Sequence, residues 1–569
     1  MAGRRPNSWE VEQLNEYKGT TQDGRAESII KRFEDAESKR ANWVSHWEEI
    51  ARIILPAYVD SFTNRGTMSR SKGEKRTDEM VDATGALALP KFAAVRESML
   101  TPRNTKWHRL QALDPNMRRN RNAKLWFEEV NEILFRYRYQ PKANFAGQNY
   151  EVGMSLGAFG TGVLFIDPLD RRYGQGLRYK AIHLAEVFFM ENHQGIIDTA
   201  IRRFELTARQ AAQRFGEEML PEDIQKALTN EKDRDKPFSF LHCVKPREEE
   251  DGYDEEQVTQ NGMLYVSYYV SETGKKVVRE GGYNTFPYAI DRYVQAPGET
   301  YGRSPAMMAL PSLKTLNEQK KSVLKQGHRA TDPVLLAHDD GIIDGFNLTP
   351  GSVNFGGVSA EGRPLVHTLP TGNIAVGDRM MEMERLVIND AFLITLFQIL
   401  VETPAMTATE VLERSREKGA LLSPTMGRSQ TEYLGPMIER ELDVLSQQGL
   451  LPEMPQVLME SMAEYEAVYD SPLSRAQRAE EATGLMRLVD WTTQSIQITG
   501  DPSALDWINW DAAMPDLADI SAVPNRWMRG GEAVMAIREQ RAQQAQQQQM
   551  LDAAPAAAGV MKAMGGAGQ

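Results

Sequence analysis

GETYGRSPAMMALPSLKTLNEQKKSVLKQGHRATDP, residues 298–333, is the stretch that decides the fold. It opens with turn formers; Ser304 stands where a helix cap belongs, and Pro305 takes the first helical position. About 25 residues of helix-forming sequence follow, with Leu310, Leu313, Leu316, Val323 and Leu324 on one stripe. Lys314, Lys320, Lys321, Lys325 and Arg329 take other positions, and Asp332-Pro333 ends the helix. At roughly 1.5 Å per residue the helix reaches about 37 Å. A narrow apolar stripe with scattered cations over that length suits the wall of an assembly.

Downstream, residues 334–372 are spaced by glycine and proline, with strands expected at 334–337, 352–355 and 365–369. A second long helix is expected over 376–397, apolar nearly all round through Met380, Met383, Leu386, Val387, Phe392, Leu393 and Leu396. Two helices flanking a small strand-rich excursion describe a long hairpin with a tip. The second helix carries apolar residues on too many faces for the surface of a monomer, so neighbouring copies are expected to bury it.

Upstream, the period is first helical. Amphipathic stretches at 27–55 (with Trp43 and Trp47), 78–100 and 120–137, and a fourth from Asn144, lead into the glycine-rich run GMSLGAFGTG, residues 153–162. Short strands then alternate with small helices up to residue 270, so the first 300 residues read as helices on a mixed or antiparallel sheet, an α+β unit. After a Pro-bearing loop at 400–406, Thr407 and Glu410 have the spacing of a capping box. That helix is expected to continue toward Gln448, kinked at Ser423-Pro424. An edge strand at 464–469, a helix from about 471 to 499, another from Gly531 and a Gln-rich tail complete the chain.

Composition excludes several classes. The 569 residues are 41% hydrophobic and 25% charged, as in a folded multidomain protein, and the net charge of −13 argues against a surface built to hold nucleic acid tightly. The one cysteine, Cys243, removes an internal disulfide framework and is expected in a strand as a small core residue. The longest apolar run, 386–401, is too short and too polar to cross a membrane. The eight histidines have no metal-ligand spacing, and Asp339-Asp340-Gly341 lacks the further ligands of a cation loop. The 153–162 glycines lack the Lys-Ser/Thr ending of a phosphate loop, as does Gly274-Lys275-Lys276, and close backbone packing explains them better. The basic stretches 65–76 and 118–121 lack any nucleic-acid-reading motif around them. No catalytic constellation emerges, and no cofactor is expected.

Several landmarks, taken in order, resemble a known family. They are Trp43, Trp47 and Pro56; DATGA at 82–86; LTPR at 100–103 with Lys106-Trp107; FGTGVL at 159–164; Phe286-Pro287 and Arg292-Tyr293; GETYGRSPA at 298–306 running to Leu316-Asn317; TATEV at 407–411; and SPLSRAQ at 471–477. Together they resemble the portal proteins, the head-to-tail connectors of short-tailed, podovirus-type phages. Position 293 is Tyr where that family more often has Trp, a conservative departure.

The resemblance implies a mainly helical α+β portal fold, assembled as a ring of about twelve copies around a DNA channel. Residues 1–303, with 407–470 returning to them, would form a wing. Residues 304–330 and 376–399 would be stem helices, 331–375 a clip, 400–406 a tunnel loop, 471–535 a crown, and 536–569 a tail or barrel. Glu402, Thr403, Pro404 and Met406 would face the channel from the tunnel loop; from the stem, Lys320, Lys321 and Lys325 would either line the channel or lie between subunits and pair with acids there, with at least one of them in the channel. Asp339, Asp340 and Phe346 of the clip would meet the terminase large subunit and later the tail adaptor protein. Major capsid and scaffolding proteins are the other implied partners, double-stranded DNA the cargo, and the virion the location. The rival is another structural or nucleic-acid-processing component of the same particle, which lacks the ring.

Overall fold

The helix-to-strand turn at Gly160 is where the fold is fixed. The computed structural model describes residues 22–63, 73, 75–103, 105–248, 262–337, 347, 349–370, 374–395, 426–460, 464–469, 472–499, 506–520, 523, 527–531 and 533–545. The main helices are α1 (Gln22–Lys39), α2 (Ala41–Ile54), α3 (Thr84–Leu100), α4 (Arg121–Arg138), α5 (Phe145–Phe159), α6 (Ala208–Phe215), α7 (Glu222–Thr229), α8 (Pro305–Thr331), α9 (Ile374–Ala391), α10 (Gly435–Gln447), α11 (Pro472–Thr499) and α12 (Trp510–Ile520). The strands are β1 (His108–Ala112), β2 (Thr161–Pro168), β3 (Leu177–Ala181), β4 (Val187–Glu191), β5 (Ile197–Thr207), β6 (Pro237–Pro246), β7 (Tyr265–Ser271), β8 (Lys276–Tyr283), β9 (Tyr288–Arg292), β10 (Leu335–Ala337), β11 (Val366–Thr368) and β12 (Tyr465–Tyr469). Helix and sheet are mixed, and the chain divides into two units: residues up to 103 with 137–450, and residues 104–136 with 451 onward.

In the first unit, β2 lies central in an antiparallel sheet ordered β3-β2-β9, and β4 to β8 form a five-stranded antiparallel meander. A central strand covered on both faces needs an unbroken apolar run, which explains Val163-Leu-Phe-Ile166. α5 packs on α3 through its glycines. A Cβ on Gly157 would stand 2.6 Å from Leu89, and one on Gly153 3.2 Å from Ala93. The largest core joins Trp47, Ile50 and Ile54 of α2, Leu89 and Phe92 of α3, Phe159, Val163, Tyr301, Leu310, Leu313 and Leu316 of α8, and Met381 and Ile388 of α9. Cys243 is buried in β6, as its sequence context indicated.

In the second unit, β1 pairs antiparallel with β12, His108 opposite Tyr469. Trp126 of α4 donates to the Pro452 carbonyl (3.2 Å), and Arg118 bonds Glu466 (2.8 Å).

Three expectations shift. Residues 352–355 form no strand: Val353 and Phe355 are exposed, and turns with positive φ at Gly351 and Gly356 enclose them. The expected strands on either side do form, and pair as β10 and β11. α9 ends at Ala391 instead of running on to 397, because the chain turns at Phe392 and Leu393 (φ 60°) to bury Phe392 and Ile394. The helix before Gln447 carries a π-turn at Ser429–Leu434. Pro436 has no N–H for the Glu432 carbonyl, and the ladder widens just before it. The kink expected at Ser423-Pro424 lies outside the described residues.

Gly160 adopts φ 80°, and a Cβ there would stand 2.1 Å from the Gly302 carbonyl oxygen. Gly160→Ala combines a left-handed residue with this clash and should cost more than about 2 kcal/mol in chemical unfolding. Gly327 lies inside α8 with nothing within 4 Å of a Cβ, so Gly327→Ala should stabilise by about 0.5–1 kcal/mol. Equal effects from the two substitutions would contradict the close-approach account.

Candidate functional site: the helical hairpin and its roots

α8 starts where two backbones meet. Tyr293 donates its N–H to the Gly160 carbonyl (3.0 Å), and Gly302 donates to Thr161 Oγ1 (2.9 Å). Ser304 Oγ accepts from the Met307 N–H (2.9 Å), capping α8, and donates to the Ala158 carbonyl (2.8 Å). One hydroxyl thus caps the helix and ties its start to the end of α5. Tyr301 buries its ring against Trp43 and Trp47, and Trp47 Nε1 donates to the Phe159 carbonyl (3.1 Å). Exposed Arg303 pairs with Glu299 (2.8 Å) and lies over Trp43.

A second tie holds both hairpin helices. Asn317 Oδ1 accepts from the N–H groups of Val81 (2.9 Å) and Asp82 (3.0 Å), and its Nδ2 donates to the Glu79 carbonyl (2.8 Å). Asp82 accepts from the Thr84 N–H (2.9 Å) at the start of α3 and from Arg385 of α9 (3.2 Å). The residues 79–82 therefore join α3, α8 and α9. Burial opposes the charge on Asp82, but the hydrogen bonds from Thr84 and the Arg385 guanidinium outweigh it and hold the carboxyl below its usual value of 3.8. Sequence reasoning missed this junction. Its signal was a polar residue, Asn317, on the apolar stripe of α8, where it is 7% exposed.

Beyond the junction the helices run side by side. Gly377 meets Val323, with room for no Cβ: one would stand 2.7 Å from Val323 Cγ2. α9 buries Met381 and Ile388 but leaves Val376, Met380, Met383 and Val387 about half exposed. Their spacing of four, three and four residues makes a second stripe, distinct from the buried one. α8 carries five Lys or Arg and one Glu; α9 carries two Arg and four acids.

Of the cations named from the sequence, Lys321 pairs with Glu318 of its own helix (2.7 Å), while Lys320 and Lys325 have no ion-pair partner among the described residues. Glu402, Thr403, Pro404 and Met406 lie outside the described residues, as do Asp339, Asp340 and Phe346. The described chain on either side of residues 396–425 is firmly held. Phe392 packs edge-on against Phe92 of α3; at the other side Ser429 donates to Asp291 (2.8 Å), which also pairs with Arg96 of α3. Arg292 joins Glu191 and Glu432 (2.8 Å to the latter). Among the described residues no cluster of His, Cys, Asp or Glu is arranged to hold a metal ion, and no helix is long and apolar enough to cross a membrane. Lys275 sits in the β7–β8 turn with φ 45° and pairs with Glu27 (3.5 Å).

Residues 26–528 match the bacteriophage head to tail connecting protein family, and the chain belongs to that family. It is 27% identical over 530 residues to a portal protein of Salmonella phage epsilon15, covering 91% of each chain. It is 27% identical over 523 residues to a probable portal protein of Bordetella phage BPP-1, covering 90% of each. Among solved structures, a chain from the virion of a native gene transfer agent particle aligns over 71% of this chain and 85% of its own, at 12% identity and a TM-score of 0.34.

A carboxylate whose pKa falls on folding stabilises the fold above its unfolded value and loses that contribution as pH drops through the folded one. Asp82→Asn should therefore lower the melting temperature near neutral pH, and the gap from wild type should close in acid as pH falls through the lowered carboxyl value. Asn317→Ala, which strands three backbone groups, should cost about 1–3 kcal/mol at any pH. A gap for Asp82→Asn that stays constant from neutral to acid would refute the ion-pair part of the junction.

Proposed function

We propose that this chain is a portal subunit. Copies form a ring of about twelve at one vertex of the capsid, and double-stranded DNA passes through its centre during packaging and again during ejection. Membership of the connector family supports this reading, as do the two relatives named as portal proteins over nine-tenths of their length. The feature of the chain itself that carries it is the α8–α9 hairpin. Its exposed apolar stripe at Val376, Met380, Met383 and Val387 has no place on a lone molecule in water and every place between copies.

Within this reading, residues 1–303 with 407–470 form the wing, 304–330 and 376–399 the stem, 331–375 the clip, and 471–535 the crown. Lys321 and Lys325 lie on the face of α8 turned away from Val323, a stripe suited to brushing phosphates, while Lys314 pairs with Glu49 of α2. Lys320 lies to one side of that stripe. Glu402, Thr403, Pro404 and Met406 face the channel from a loop held at both ends on α3. Asp339, Asp340 and Phe346 sit in the clip, which docks the terminase large subunit and later the tail adaptor. Capsid and scaffolding proteins surround the wing. A conduit with an acidic total charge grips DNA weakly, which sliding requires, and the docked ATP-driven motor supplies the work.

Particle images of the purified protein should show rings with a central hole, and the preparation should turn over no ATP. Solid particles, or turnover abolished by substitution of Lys275, would overturn the reading in favour of another packaging component. Cysteines placed at Glu402 or Met406 should react with a thiol reagent small enough to enter the channel of assembled rings. Reaction in monomers but not in rings would remove those residues from the channel.

A further inference from the structure

The two lateral sides of the hairpin differ, and they complement each other. With about 100° between successive residues, Val323 of α8 points to α9. On one side of this contact a groove of about 610 Å³ runs between the helices, walled on α8 by Glu318, Gln319, Ser322 and Gln326 and on α9 by Gly377 and Met380. The apolar stripe of α9 continues along it, and Arg329 stands toward the end of α8, beside Val334 and Leu369. The opposite side carries different groups. There α8 presents Leu324, 46% exposed, and α9 presents the exposed acids Asp378 and Glu382.

We propose that the groove of one copy receives the Leu324 face of the next copy. This rests on the ring reading above and names the surface that builds the ring. Leu324 fills the space against Met380 and Val376, and Asp378 of the next copy meets Arg329. Charge complementarity selects this occupant: the groove side carries Glu318 and ends in Arg329, the Leu324 side carries Lys320 with Asp378 and Glu382, and both belong to one chain. A contact between two different sides of the same molecule is heterologous, so it propagates from copy to copy and builds a ring where the rotation closes; a self-complementary face would stop at a dimer. Each hairpin then buries its apolar stripe on one neighbour and its leucine on the other. Lys320, on the Leu324 side, belongs to this contact, which leaves Lys321 and Lys325 as the stem's channel cations.

The test uses the full chain with Met380→Glu, Asp378→Arg, Arg329→Asp and the Asp378→Arg/Arg329→Asp pair, counting rings by particle mass and following the fold by circular dichroism. Met380→Glu should cut the ring fraction at least about tenfold while the helical signal and melting temperature of the monomer hold. Each single charge reversal should reduce ring formation, and the pair should restore most of it. Rings of Met380→Glu as abundant as wild type, or a pair no better than its singles, would overturn the proposed contact and leave the ring reading standing. Absence of rings in the wild-type chain would overturn the ring reading itself.

Discussion

Gly160 and Gly302 approach so closely that neither tolerates a Cβ, and the rest of the first unit is arranged around that contact. It brings the end of α5, the start of β2 and the entry to α8 to one point. From there β2 enters the centre of a sheet, and α8 leaves under a Ser304 cap that also holds the Ala158 carbonyl. The start of α8 is thus fixed by backbone geometry, and its buried leucines and Asn317 then hold its course. The proposed role in a ring wall requires that: an error of a few degrees at the root grows along a helix of 27 residues.

Buried charge secures the segments that flank this point. Arg138 and Glu441 pair with no exposure to water, Nε to Oε1 at 3.0 Å, and Tyr179 donates to the same carboxylate (2.5 Å). Burial opposes the charge on Arg138, yet the Glu441 carboxylate beside it prevails and raises its pKa above the ordinary arginine value; burial and that same carboxylate push the Tyr179 phenol well up. Such groups contribute little net stability when intact, but removing one partner leaves an uncompensated charge, at a cost of about 3–5 kcal/mol. They therefore select one arrangement of α10 against β3 and Arg138, and the ties of Asp291 and Arg292 do the same for the π-turn. The chain emerging toward residue 425 starts from a fixed base.

The hairpin was legible in the sequence because its signals are local: a cap, a 3.6-residue period and Asp332-Pro333 as a stop. The strands β2 and β7 were legible for the same reason, read at 163–166 and 263–270. The glycine-rich run was readable as close packing because it lacked phosphate-loop chemistry, although its partner, Gly302, was not visible. The junction of Asn317, Asp82 and Arg385 was hidden because it joins three segments far apart in the chain, and no local preference records such a meeting. The pairing of β1 with β12 was hidden likewise, although 464–469 alone read as an edge strand. The end of α9 was misread since Phe392 and Ile394 continue a helical pattern and leave the helix only to reach the core.

In the arrangement proposed above, a rigid root aims two helices whose free faces are covered by neighbouring copies. The position of those helices relative to the central hole is the measurement that bears most directly on it. An electron cryomicroscopy map of the assembled protein at helix-resolving detail should place the α8–α9 hairpins around the hole as its wall, each in contact with the hairpins on both sides. A map with a ring whose hole is lined by other segments, the hairpins standing apart on the outer rim, would contradict the account.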